Sequence, residues 1–417
     1  MMPLGVVAAA AGLPVAAIAA FDFNSTGVKS ITVAGEVRTP VAVEFWYGRC
    51  ASAGTEDADL YAGAGISDET NEYAVGGYSQ DNQSTTVEER HGNTVAMVLP
   101  NGILSATLTG SGGFKAGGCD LNVTAVTGTM RGVAIFYFAS AAEVVVQGYT
   151  GNGAVNGIGA IDFTSAVGAV RAVSGVLLSH NSDTTDRCLS VGGGVGTTSA
   201  VTGQICTMLE ADSARAGSKR GVIWQTSKIA STYLNGVAQM DVSLDAFGSS
   251  GIDTTVSNHG GSTRYVGLLL LKFPGGTGAW AGEIAAPPSS GDWQAVAGGI
   301  GFAPDLAIGQ ATHTTDAAGT EVVEFSTGDE ASVMALFAVT ASAAHCWSER
   351  AGDGSPSPAK TMLAAQPLKW LYGGEGGSGT AYDVTGASLT SKLLEAADAY
   401  IDTAQATARK MVGMALG

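Results

Sequence analysis

The sequence predicts a mainly β protein: tandem β-sandwich or jelly-roll-like domains followed by a C-terminal α-helix. Three observations predict it. Gly supplies 60 of the 417 residues and charged side chains only 14%, a composition of short strands and turns rather than of helical bundles. Short apolar runs bounded by Gly, Asn, Asp and Ser recur along the chain: TVAGEV, VAVEFWY, NTVAMVL, ILSATLT and GVAIFYF. Several alternate apolar and polar residues, as half-buried strands do. The third observation is an internal repeat, which decides architecture.

The repeat has a period of about 133 residues. Residues 107–138 and 243–273 each carry a glycine-rich turn, an Asn, a second turn, then Arg-x-Val and an apolar run. Arg131 and Arg264 are 133 positions apart, and so are VRTPVAVEF (37–45) and VRAVSGVLL (170–178). Asn101-Gly102 matches Asn235-Gly236 at an offset of 134. Asn-Gly is a hairpin signal, because both residues tolerate positive φ and that twist fits the flanking strands. A third, degenerate copy opens at IGFAPDLAIGQ (300–310), and FSTGDEASV (325–333) echoes GISDETNEY (65–73).

A chain of this length exceeds one core, and its 45% hydrophobic content excludes a mainly disordered one. The expected order is an apolar N-terminal arm over 1–20, a first β-sandwich over 21–150, a second over 151–282, a degenerate third over 283–386, and a helix over 387–417. The Gly/Pro stretches 148–159 and 273–291 fall at the joins.

The first twenty residues carry no charge. A secretion signal would have a positive n-region, yet the first basic residue is Lys29. A membrane span would need about 20 strongly apolar residues, whereas this run is mostly Ala and Gly and is broken by Pro14. Burial in protein remains, against the chain's own domains or a neighbouring subunit. Val6, Val7, Leu13, Val15 and Ile18 are the contact candidates. In the tail, Ser388 or Thr390 can cap a helix. Leu394, Ala397, Ile401, Ala404, Ala408, Met411 and Ala415 follow at spacings of three and four, a heptad seam. That seam would pack on its own β domain or on another copy. From it Leu394, Ala397, Ile401, Ala404 and Met411 are the contact candidates.

Little else points to chemistry. The net charge of −17 repels phosphate backbones and anionic membranes, so neither nucleic acid nor a membrane span is expected. Cysteines 50, 119, 188, 206 and 346 lack paired spacing and read as buried free thiols. The five histidines have no metal-ligand spacing. His180 with Asp183 and Asp186, and His313 with Asp316, could form a shallow metal or sugar site at loop tips, or polar loops satisfied by water. GGGVGTTS (192–199) lacks the Gly-Lys ending of a phosphate loop. Acid pairs such as Asp57 with Asp59, and Asp68 with Glu69, are not a glycosidase without a defined separation. Trp46, Tyr47, Trp224, Trp280, Trp293, Trp347 and Trp370 read as core or seam aromatics ahead of sugar platforms. No catalytic, cofactor-binding or metal residue is assigned, no cofactor is expected, and no enzyme activity.

The block at Gly301–Ile308, the glycine-acid block at Gly63–Glu69, the Asn-Gly pairs, and the closing blocks Arg131–Phe138 and Arg264–Phe273 resemble structural proteins of tailed-bacteriophage virions, tail and fibre components in particular. The resemblance spans about residues 30–380 and carries over no catalytic residue. It implies a multi-copy component of a virus particle, partnered with itself and other virion proteins, with contact to host-surface glycans as a further expectation. Alternatives are a head-surface decoration protein, a carbohydrate-binding module and a glycan-cleaving adsorption protein.

Overall fold

A computed structural model describes residues 15–51, 57–58, 60–79, 87–108, 113–138, 143–151, 156–158, 162–164, 170–180, 187–197, 199–211, 220–234, 237–259, 264–273, 278–284, 291–293, 300–302, 304–312, 322–324, 332–340, 343–351, 360–364, 368–370, 382–384, 399–403 and 410–417. Among these residues the chain is mainly β, in six antiparallel sheets. The strands fall into three units.

The first unit holds β1 (Ala16–Phe23), β2 (Gly27–Thr32), β3 (Ala42–Arg49), β4 (Asp57–Ala58), β5 (Leu60–Ser67), β6 (Glu72–Ser79), β7 (Val87–Gly92), β8 (Met97–Leu99), β9 (Leu104–Thr107), β10 (Gly113–Lys115), β11 (Gly118–Val126) and β12 (Met130–Tyr137). The second holds β13 (Val144–Gly151), β14 (Asn156–Ile158), β15 (Val170–His180), β16 (Arg187–Gly196), β17 (Gly203–Ala211), β18 (Arg220–Gln225), β19 (Ala230–Leu234), β20 (Val237–Gly248), β21 (Gly251–His259) and β22 (Arg264–Phe273). The third holds β23 (Ala279–Ile284), β24 (Gly291–Trp293), β25 (Leu306–Thr312), β26 (Val322–Glu324), β27 (Ser332–Thr340), β28 (Ala344–Ala351), β29 (Lys360–Ala364), β30 (Leu368–Trp370), β31 (Tyr382–Val384), β32 (Ala399–Thr403) and β33 (Lys410–Leu416).

Each unit repeats one path. Its first strand pairs with its last, and the last pairs with the strand that opens a meander. The large sheets therefore run β1-β12-β3-β5-β6-β7, β13-β22-β15-β16-β17-β18 and β23-β33-β25-β27-β28-β29. The small sheets repeat as well: β2 joins β11, β9 and β8; β14 joins β21, β20 and β19; β24 joins β32, β31 and β30. In the first unit Phe45 and Tyr47 of the large sheet share a core with Leu104, Leu121 and Val123 of the small one. In the second, Val173, Leu268 and Leu270 meet Met240, Val242 and Ile252. Both units are thus two-layered.

The repeat joins lie earlier than the sequence suggests. β1 begins within the expected arm, and β13 and β23 begin before residues 151 and 283. The physical reason is the first-to-last pairing, which pulls each opening strand into its own unit's large sheet. The Asn101-Gly102 hairpin is present between β8 and β9, with φ of 58° and 68°. Its counterpart, Asn235-Gly236, lies outside the described residues.

The tail is a correction. Ala399–Thr403 and Lys410–Leu416 are strands of the third unit, not turns of a C-terminal helix; residues 387–398 lie outside the described ones. β33 sits between β23 and β25 and pairs with both. Residues 411–417 are all buried. A segment buried on both faces shows no period-2 alternation, and chance spacing of its many small residues then imitates a helical stripe. The repeat carries the contrary signal: Lys410-Met411-Val412 stands where Arg131-Gly132-Val133 and Arg264-Tyr265-Val266 stand in the other closing strands.

A proline at Val412 would remove a ladder donor from a central strand and leave its partner buried and unpaired. Val412→Pro is expected to cost at least about 1–3 kcal/mol, read as a lowered urea midpoint. An unchanged midpoint would contradict the placement of β33.

Candidate functional site at the three-unit seam

The large sheets bury their second faces against one another. Ala16, Trp46 and Ile135 of the first unit, Val191, Leu209 and Leu269 of the second, and Ile308, Leu336 and Met414 of the third belong to one continuous apolar core. This is why β3 and β22 are buried along nearly their whole length. Strands covered on both faces read as unbroken apolar runs.

Close approach needs small residues at the crossing points, and each seam has one. A Cβ on Gly48 would fall 2.4 Å from the Trp347 ring, between the first and third units. On Gly148 it would fall 2.2 Å from the Tyr73 ring, between the second and first. On Gly203 it would fall 2.2 Å from the Ala281 carbonyl, between the second and third.

Polar groups at the seam are bonded across it. The Val15 N–H donates to Asp305 Oδ2 at 3.0 Å, and the Val146 N–H to Asp68 Oδ2 at 3.1 Å. Asp68 Oδ1 also accepts the Thr70 and Asn71 N–H groups, which holds the β5–β6 turn in shape. The Thr207 hydroxyl donates to Gln310 Oε1 at 2.9 Å between the second and third units. The Tyr265 hydroxyl donates to the Gly92 carbonyl at 2.8 Å between the second and first.

The most concentrated group centres on Glu44, which is 1% exposed. The Trp46 indole N–H donates to its Oε1 at 2.8 Å. Its Oε2 lies 2.8 Å from the Ser174 hydroxyl of the second unit and 3.2 Å from the Tyr137 hydroxyl. Those two hydroxyls are 3.0 Å apart. Both hydroxyls are placed to donate to Oε2. Burial pushes the Glu44 carboxyl up, against the lowering pull of its hydrogen bonds. Burial, and then the neighbouring Glu44, hold the Tyr137 hydroxyl protonated. Sealed as it is, the triad can bind two units together, but it offers no surface to a solute.

Two strand exchanges complete the seam. β4 leaves the first unit to pair with β29 of the third, and β26 leaves the third to pair with β18 of the second. Both come from the same connection, the one between the third and fourth strands of the large-sheet path.

The contact candidates distribute as follows. Val6, Val7, Leu13, Leu394, Ala397 and Ala404 lie outside the described residues. Val15 is half-buried where the first unit meets Asp305. Ile18 and Met411 are buried in the large sheets of their own chain, so neither has surface left for another copy. Ile401 lies in β32. Trp46, Tyr47, Trp224 and Trp347 are buried, as core aromatics. The five cysteines are buried and free. Asp183, Asp186, His313 and Asp316 lie outside the described residues. No group of three His, Cys, Asp or Glu side chains placed to hold a metal occurs among the described residues, and no described helix is long and apolar enough to cross a membrane. Sequence reasoning missed Glu44, Ser174, Thr207, Asp305 and Gln310, and named Asp68 only as half of an acid pair. For Glu44 the signal was its place as a lone charge inside VAVEFWY.

Comparison of the chain with protein-family models, with curated proteins and with solved structures finds no match. The class defined is therefore architectural: three antiparallel β units with one shared core.

Because the Glu44 carboxyl titrates higher in the fold than its ordinary 4.5, its contribution is fully present below that value. It is lost as pH rises through the raised one. Glu44→Gln keeps the hydrogen bonds and removes the titration. Wild type is expected to lose stability relative to Glu44→Gln as pH rises from 4.5, read as urea midpoints across pH 4–9. A constant difference between the two would contradict the raised titration of Glu44. Glu44→Ala takes the acceptor from the buried Trp46 indole N–H and is expected to cost about 2–5 kcal/mol at pH 4.

Proposed function

We propose that the chain is a non-enzymatic structural subunit of a bacteriophage virion, a tail-fibre or tail-tip component present in multiple copies, and that each unit is a jelly-roll-like sandwich. The seam is the observation that supports this reading. One continuous apolar core, several buried polar groups and two exchanged strands join the chain's three units. A body made this way resists relative motion of its parts, which suits a component that transmits load. The sequence resemblance to virion proteins supplies the setting. Copies would meet through surfaces outside the seam, because the seam is already filled. Contact with host glycans would fall on the loops and on the outer faces of the small sheets, where Ser30, Lys115 and Asp120 form one polar cluster.

The test is immunogold labelling of intact phage particles made by the host cell, with native mass spectrometry of the purified chain. The reading predicts label at the tail and a defined multiple of the chain mass. Absence of label on particles, together with a monomer that cleaves polysaccharide, would overturn it. Label on the head alone would move the protein to surface decoration.

A further inference from the structure

Two departures from the repeat face each other across the seam between the first and second units. The first is Glu44. It pairs with Ile135, four residues past Arg131. In the third unit the same rung, four residues past Lys410, joins Met414 to Ile308. Ile308 is buried in the shared core, so the fold accepts an aliphatic side chain where β3 carries a carboxyl. Ile135 and Ile66, the two ladder neighbours of Glu44, belong to that same core.

The second is a bulge in β15. β3 and β25 run in unbroken register with both of their neighbours. β15 instead slips between Val173 and Val176 against β16, and between Ser174 and Leu177 against β22. Gly175 sits in this bulge at a φ of 54°, a conformation that side chains rarely adopt. A Cβ there would fall 2.6 Å from Ile66 and 3.3 Å from the Glu44 carboxyl carbon. A bulge re-aims the side chains of its strand. Here the re-aimed side chain is Ser174, whose hydroxyl donates to Glu44 Oε2 at 2.8 Å. Departures from two units that meet at hydrogen-bond distance share one role.

The groups that face the carboxyl come from four strands. Trp46 comes from β3, Ile135 and Tyr137 from β12, Ile66 from β5, and Ser174 and Gly175 from β15. Tyr137 is the titratable one among them, and burial holds it protonated. No described charged side chain offsets a charge on Glu44. Ionising the carboxyl inside this apolar seam is therefore costly, whereas water would solvate the carboxylate in an opened one.

We propose that Glu44 and the Ser174–Gly175 bulge form a proton-operated latch, which holds the first and second units shut while the carboxyl is protonated and releases the β3–β15 contact when it ionises. The other ties set where the release stops. Asp68 with Val146, and Tyr265 with Gly92, also join these two units, so the opening is local to β3 and β15. Thr207 with Gln310 joins the second and third units, and Val15 with Asp305 the first and third; neither contains Glu44 or its partners. The inference stands on the ladder geometry and is independent of the proposed virion role.

The test is hydroxyl-radical footprinting of the full-length chain from pH 5 to pH 9, with each residue's labelling normalised to that of the urea-unfolded chain at the same pH. Trp46 and Tyr137, both buried at the latch, report its opening. Phe45, in the first sandwich's own core, and Met334, beside Thr207 at the seam between the second and third units, report the rest of the fold. Above the ordinary carboxyl value of 4.5, each pH unit favours opening by up to about tenfold until the raised value is reached. The proposal predicts that labelling of Trp46 and Tyr137 rises at least about tenfold across the range, while that of Phe45 and Met334 rises less than about twofold. Glu44→Gln is expected to abolish the rise. Trp46 and Tyr137 equally shielded throughout would overturn the proposal. So would a rise shared by Phe45 and Met334, or one that persists in Glu44→Gln. If that variant does not fold, the four residues of the unmodified chain decide alone.

Discussion

No large sheet in this chain can cover both of its faces alone. In the first and second units one face packs on the unit's own small sheet, and in all three the other face meets the remaining two units. Leaving such a face in water costs roughly 25 cal/mol for each Å² of apolar surface, so the three units are folded partners rather than beads on a string. The shared core is therefore the constraint on which the other contacts depend. It fixes which faces meet, and so which positions must be glycine and which polar atoms must find a bond across the seam.

The polar bonds then select one arrangement among the many that an apolar surface would accept. A greasy face can slide; Asp68 receiving the Val146 N–H, or Asp305 receiving that of Val15, cannot be satisfied in a shifted register. Buried groups left unpaired would cost about 1–3 kcal/mol each, which penalises every displaced packing. Glu44 shows the same logic at higher stakes: its partners come from two units, and separating them would expose a carboxyl to apolar walls. The exchanged strands add backbone pairing on top of this, at edges that would otherwise invite association with other chains.

Much of the fold could be read from the residues. The repeat, the β class and the positive-φ Asn101-Gly102 turn follow from spacing and from turn chemistry. The seam could not, and the reason is physical. In AVEFWYGR and RYVGLLLLKF both faces are buried, so alternation disappears and the sequence gives no sign of which residues face the partner unit. The same loss of period hid β33 behind an apparent heptad. For the apolar terminal stretch the residues left two covers open, the chain's own domains or a neighbouring subunit, and β12 and the shared core cover Ile18 within the chain. Polar ties such as Thr207 with Gln310 join residues far apart in sequence, and one chain offers no local pattern that pairs them.

Calorimetry of the whole chain tests the shared core most directly. If the three units hold one another in place, heating melts them together, in a single transition whose calorimetric and van't Hoff enthalpies agree. Two or three resolved transitions, each with the enthalpy of one sandwich, would show units that stand alone and would contradict the account.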